Sequence, residues 1–122
     1  MAVVHAGLPR APGQTAVAVL GDMLELGPTS AELHFEVGQT AARLGIDHLV
    51  AVGVLAQEIL RGARRGGLDV SRLAPALDPV AAAREVQART APGDWVLVKG
   101  SRGMRLERVI SELRRLMGEE KA

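Results

Sequence analysis

The chain has 122 residues, 48% hydrophobic and 24% charged, with fifteen basic side chains against fourteen acidic ones for a net charge of +1. That length fits one domain with a core of its own, and the charge balance gives no field to gather nucleic acid or an anionic membrane. The absence of cysteine excludes disulfides, thiol catalysis and cysteine zinc sites, in keeping with a reducing cytoplasm.

Met1 to His5 has neither the charged region nor the long apolar run of a signal peptide. No apolar stretch approaches the about 20 residues of a membrane helix. Residues 1–15 read as an N-terminal remnant: Ala2–Leu8 suits a short helix or a strand, and Pro9–Gln14 a loop. Residues 16–122 read as one α/β domain. Its first strand is Ala16–Leu20, aliphatic throughout, as in strands buried on both faces of a parallel sheet.

A helix is predicted next, with Thr29 as N-cap and Glu32 completing a capping box. Leu33, Val37, Ala41 and Leu44 share one face of it, and Gly45 ends it. Leu49–Val52 gives a second strand. A second helix runs from about Leu55 to Arg65, with Leu55, Ile59, Leu60 and Ala63 inward, and stops at Gly66-Gly67. Leu73–Leu77 carries Pro75, which suits a strand near a sheet edge. Asp78 as N-cap and Pro79 at the first helical position open a third helix, running through Val80, Ala83 and Val86 to Thr90. Trp95–Val98 is the last strand. The final helix puts Leu106, Val109, Ile110, Leu113 and Leu116 on one side. The order β-α-β-α-β-α-β-α implies right-handed crossovers and a mainly parallel sheet between helices, a three-layer αβα domain.

Ligands of open α/β sheets bind beyond the carboxyl ends of the strands. Four segments fall there: Gly21–Gly27, Gly53-Val54, Asp78-Pro79 and Lys99–Gly103. In the last, Lys99 ends a strand, two glycines permit a tight turn, and a helix follows. Backbone amides of Ser101, Arg102 and Gly103 at that helix N-terminus, beside Lys99 and Arg102, suit a carboxylate or phosphate. A plain strand-to-helix turn with Ser101 as N-cap explains the same residues equally well. Asp22 and Glu25 can hold a cation or an amine, or cap loop amides at the surface. His34, between Leu33 and Phe35, reads as a packing or capping residue. His5, His34 and His48 have no metal-ligand spacing. Phe35 and Trp95, all of the 2% aromatic content, read as core and leave no stacking platform for bases. The chain contains no G-x-x-x-x-G-K-[ST] phosphate loop, no G-x-G-x-x-G fingerprint and no G-x-S-x-G elbow.

Three segments in order carry a resemblance: Val19-Leu20-Gly21-Asp22-Met23-Leu24-Glu25-Leu26-Gly27, Glu32-Leu33-His34-Phe35-Glu36-Val37-Gly38, and Val96 to Glu107 through Lys99-Gly100-Ser101-Arg102-Gly103. Together they resemble the C-terminal domain of the Mur ligase family, over about Ala16 to Leu116. Within the family the resemblance points to the branch that joins D-alanyl-D-alanine to UDP-N-acetylmuramoyl-tripeptide in peptidoglycan biosynthesis.

The resemblance implies a Rossmann-like unit of a three-domain, ATP-dependent ligase. In such a ligase the central domain carries ATP and magnesium, and an acyl phosphate is attacked by the dipeptide amine. It carries Lys99, Ser101 and Arg102 over as substrate-binding residues for the dipeptide carboxylate, and Asp22 as a residue lining the same cleft. It assigns no catalytic residue, no metal ligand and no cofactor to this chain, and gives His34 no catalytic role.

Without a phosphate loop, the chain is expected to be inactive alone and to need the remaining Mur ligase domains as partners. The family's first strand and its Asn-Ala-Asn-Pro motif have no counterpart before Ala16, so the expectation is a domain lacking that strand. An unpaired sheet edge invites association, which keeps a homo-oligomer open. The alternative is a stand-alone, non-catalytic binding module derived from the ligase domain. A flavodoxin-like or response-regulator domain fits the β-α order but not the absence of an acidic cluster.

Overall fold

The computed structural model describes residues 12–23, 27–91, 93–100, 105–116 and 118. Four strands form its centre: β1 (Ala16–Gly21), β2 (His48–Val52), β3 (Leu73–Ala76) and β4 (Trp95–Lys99). They lie in the order β3-β2-β1-β4, and every neighbouring pair is parallel. The helices are α1 (Ser30–Arg43), α2 (Ala56–Arg65), α3 (Pro79–Arg89) and α4 (Glu107–Leu116), with short 3-10 turns at Gly27–Thr29 and Val70–Arg72.

Alternation along the strands builds two cores. Ala16, Ala18, Leu20, Leu49 and Ala51 face α1 and α2, where they meet Ala41, Ile59, Leu60 and Ala63. Val17, Val19, Val50, Val52 and Val98 face the other way, onto Ala82, Ala83, Val86, Val109 and Leu113 of α3 and α4. The three-layer α/β/α arrangement follows directly, since a sheet apolar on both faces must be covered on both. Pro75 stands in edge strand β3, where its missing N–H leaves no gap in the middle of the ladder.

The glycine stops hold. Gly45, at φ +91°, follows α1, and the chain closes with Ile46 N–H donating to the Ala41 carbonyl and Gly45 N–H to that of Ala42. Gly67, at φ +113°, does the same for α2 through Leu68 N–H and the Ala63 carbonyl. The Asp78 side chain accepts from Ala81 N–H at 2.8 Å and caps α3 above Pro79. At the amino ends of the strands, Asp47 accepts from Ala16 N–H at 2.8 Å and Asp94 from Thr15 N–H at 2.9 Å.

Several expectations are corrected. The Thr29 side chain makes no capping bond, because the Gly27–Thr29 turn runs straight into α1 and leaves Thr29 near φ −92°, ψ 12°. A side-chain cap needs extended backbone there. Ile110 faces outward at 41% exposure, away from Val109 and Leu113; on α3, Ala82 packs inward with Ala83 and Val86. Trp95 opens β4 at the sheet's amino end and stays 38% exposed, while Phe35 is half-buried, so neither is a core residue. Residues Ala2–Leu8, which suit a short helix or a strand, lie outside the described residues.

The helix pair α1–α2 packs more closely than side chains would allow. A methyl group at Gly38 would fall 1.9 Å from the Ile59 carbonyl oxygen, and one at Gly62 would fall 1.8 Å from that of Phe35. Each glycine therefore lets the other helix's backbone rest against its own. Among the described residues no helix is long and apolar enough to cross a membrane.

Candidate functional site at the carboxyl ends of the strands

Parallel strands deliver all their loops to one rim. Gly21 pairs with Val52, and Leu20 with Lys99, so the ends of β1, β2 and β4 are level with one another. Asp22, the residue after β1, is buried at 6% exposure. Its Oδ2 accepts from Val54 N–H and its Oδ1 from Leu55 N–H, both at 2.9 Å. Leu55 has no side chain able to cap α2, so the neighbouring loop supplies the carboxylate instead, at the positive end of the helix dipole. Gly53 makes this possible. It adopts φ +116°, and a side chain there would lie 2.6 Å from the Asp22 carboxyl group.

The next residue is held from the other side. Met23 N–H donates to His34 Nε2 at 2.9 Å, and His34 Nδ1 donates to the Ser30 carbonyl at 2.6 Å. That pattern puts the ring proton on Nδ1. With His34 at 0% exposure, the imidazole is a brace between α1 and the loop after β1. The packing role expected for His34 is the one seen.

Lys99 ends β4 as an exposed residue beside this braced loop. Gly100 follows, and a Cβ on it would meet a Leu106 methyl at 2.5 Å and the Gly21 Cα at 3.3 Å. The chain leaving β4 thus passes tightly over the end of β1. It returns into α4 through Arg105, a non-glycine residue at φ +53°. Ser101, Arg102 and Glu25 lie outside the described residues. The structure therefore brings Lys99 and Asp22 to the same rim but gives them different surroundings. The Lys99 ammonium is exposed, whereas both oxygens of Asp22 are committed to backbone amides. Surface capping was the plainer reading of Asp22; the capping is present, and it is buried.

The sequence placed Val54 at the rim without a role and read Leu77 as the end of a strand. Val54 and Leu77, in the loops after β2 and β3, are 92% and 94% exposed. An aliphatic residue directly after a strand gives no signal in spacing, because the same residue one position earlier would be core. Among the described residues no three His, Asp or Glu side chains gather as a metal site requires.

In open α/β proteins ligands bind at the carboxyl rim of the sheet, and here that rim is braced and carries the exposed Lys99 at the end of its last strand. Sequence comparison makes this specific. Residues 1–102 match the family described as Mur ligase, glutamate ligase domain, and the chain belongs to that family as a Mur ligase C-terminal domain.

Among curated relatives it is similar to the UDP-N-acetylmuramoyl-tripeptide–D-alanyl-D-alanine ligase of Treponema pallidum (strain Nichols), 43% identical over 101 residues, covering 81% of this chain and 21% of that protein. The ligase of the same name from Bacillus subtilis (strain 168) is 34% identical over 95 residues, covering 78% of this chain and 21% of that protein. Among solved structures, MurF ligase from Thermotoga maritima in complex with ADP superposes with a TM-score of 0.69 at 28% identity, over 87% of this chain and 23% of that one. MurF from Acinetobacter baumannii gives 0.69 at 30% identity, over 83% of this chain and 22% of that one. The chain spans about a fifth of the length of the curated relatives it matches.

Proposed function

We propose that this chain is the substrate-binding C-terminal domain of an ATP-dependent peptidoglycan-precursor ligase. The reaction would join D-alanyl-D-alanine to UDP-N-acetylmuramoyl-tripeptide through an acyl phosphate, in the bacterial cytoplasm. The observation that carries this reading is the match, along about four fifths of the chain, to proteins named for those two substrates.

The geometry supports a binding role rather than a catalytic one. In the proposal, Lys99 supplies positive charge at the rim and Ser101 and Arg102 complete a cradle for the dipeptide carboxylate. Asp22 acts at one remove, by fixing the loop after β1 against the start of α2. Exposed Val54 and Leu77 on the same rim suit a face that meets another surface when the ligase closes. ATP and magnesium belong in this reading to the parts of the relatives outside this chain: its sequence contains no phosphate loop, and the described residues gather no metal cluster. The isolated chain is accordingly expected to show no ATP-dependent ligation.

The test is a Michaelis analysis in a ligase that carries this domain. Ser101→Ala with Arg102→Ala should raise KM for D-alanyl-D-alanine by about tenfold or more, as for loss of charge-assisted hydrogen bonds worth about 1.5–3 kcal/mol. Its KM for ATP should stay unchanged. An unchanged dipeptide KM removes the turn from the binding site.

A further inference from the structure

The outer face of the α1–α2 pair carries a feature that the ligation cleft does not use. Phe35 is half-buried on α1, and the guanidinium carbon of Arg61 lies 5.6 Å from its ring centroid. Arg61, Arg64 and Arg65 lie three and four positions apart on α2, so they share one helix face. With Phe35 they line an open groove of about 450 Å³.

The charge there is only partly compensated, since Arg64 also lies near enough to Asp69 to help hold that carboxyl below its ordinary value. Arg72 pairs with Asp47, Arg89 with Glu85 and Arg115 with Glu112, and Arg61 itself touches Glu58 at 2.6 Å. Arg64 and Arg65 form no ion pair among the described residues. The whole chain carries only +1, so this is a patch and not a general field. Basic residues in the last turn of a helix complement its dipole, which explains their sign. It does not explain an aromatic ring set beneath one of them.

Position sets the groove apart from the carboxyl rim. α2 starts at the carboxyl rim with Ala56 and runs down the sheet, so Arg65 lies about 14 Å away along the helix axis. The groove is lined by three exposed arginines and the half-buried Phe35 and is open to solvent, unlike the enclosed, mostly apolar pockets that hold small molecules. Arginine over an aromatic ring is instead the composition enriched at the centres of protein interfaces. Guanidinia one helical turn apart match carboxylates spaced i, i+4 on a facing helix, about 6 Å apart.

We propose that this groove docks an acidic helical segment of a separate protein, seated by Arg61, Arg64 and Arg65 with an aliphatic side chain against Phe35, while the carboxyl rim stays free. The test uses the 15N-labelled 122-residue chain and a synthetic 14-residue helical peptide with glutamates at i, i+4 and leucines between them. Amides around Phe35 and Arg61–Arg65 should shift, and those of Gly21, Asp22 and Lys99 should not. Arg64→Glu with Arg65→Glu should weaken binding at least about tenfold, and Arg64→Lys with Arg65→Lys less so, because charge remains without the planar fork. Phe35→Ala should weaken it at least about threefold with no change of charge. Arg84→Glu with Arg108→Glu makes the same charge change elsewhere and should leave binding intact. Melting curves confirm that each variant is folded. The proposal is overturned if the peptide shifts no amide at the groove, if Phe35→Ala binds normally, or if the two charge reversals weaken binding equally. It is also overturned if inorganic pyrophosphate displaces the peptide, which would make the groove a small-anion site.

Discussion

Replacing Asp22 tests how the rim is held. Its carboxylate accepts two backbone N–H groups, from Val54 and Leu55, each at 2.9 Å, from a position 6% exposed. A hydrogen bond to a charged group contributes about 1.5–3 kcal/mol, and an abandoned buried donor costs about 1–3 kcal/mol. Water reaching the exposed Val54 offsets part of this, so Asp22→Ala should cost about 3 kcal/mol. For a domain of this size that lowers the melting temperature by about 10 °C. Asp22→Asn keeps one acceptor but turns an NH2 toward the other amide, and should cost about 2 kcal/mol. The assay pairs thermal melting with amide hydrogen exchange. In Asp22→Asn the Val54 and Leu55 amides should exchange faster, while Met23, bonded to His34 instead, serves as the internal reference. An Asp22→Asn protein melting within about 2 °C of the unaltered chain, with unchanged exchange at Val54 and Leu55, refutes the bracing role.

Gly62→Ala inverts the usual propensity rule. Alanine favours an exposed helix by about 1 kcal/mol, yet here its methyl would fall 1.8 Å from the Phe35 carbonyl oxygen. Overpacking should win and destabilise by about 2 kcal/mol in urea titration. Stabilisation would show that the two helices are free to separate. A second expectation concerns pH. Burial, and then the Arg89 and Arg72 guanidinia, hold the His48 imidazole below its usual value, with Asp47 opposing. The unfolded chain therefore takes up a proton there first, and stability should fall as pH drops below about 6.5. His48→Gln should flatten that slope, and an unchanged slope would remove His48 as its source. Asp69, Asp94 and Glu112, held low by hydrogen bonds, lose their contributions only in the more acid range below about 4.5.

The strands were legible because three aliphatic runs buried on both faces have no other stable use. The helix ends were legible where a residue acts alone, as Gly45, Gly67 and the Asp78-Pro79 pair do. What escaped was whatever depended on a distant partner. The amides that Asp22 caps lie 32 and 33 residues away, and Gly38 and Gly62 have meaning only once two helices cross. The alanine run 81–83 marks no unique face, so the inward place of Ala82 gave no signal. At the rim, Lys99 was found because a charge ending an apolar strand is a visible break in pattern. Leu77 was not, since it continues the apolar run of its strand.

The most direct test of the assigned role is a domain graft. Residues 1–122 would replace the matching segment of the Bacillus subtilis ligase, and the purified chimera would be assayed with ATP, UDP-N-acetylmuramoyl-tripeptide and D-alanyl-D-alanine. Dipeptide-dependent release of phosphate with formation of the pentapeptide product is the predicted result. A folded chimera that still binds ATP and the tripeptide precursor but joins no dipeptide would contradict the assignment.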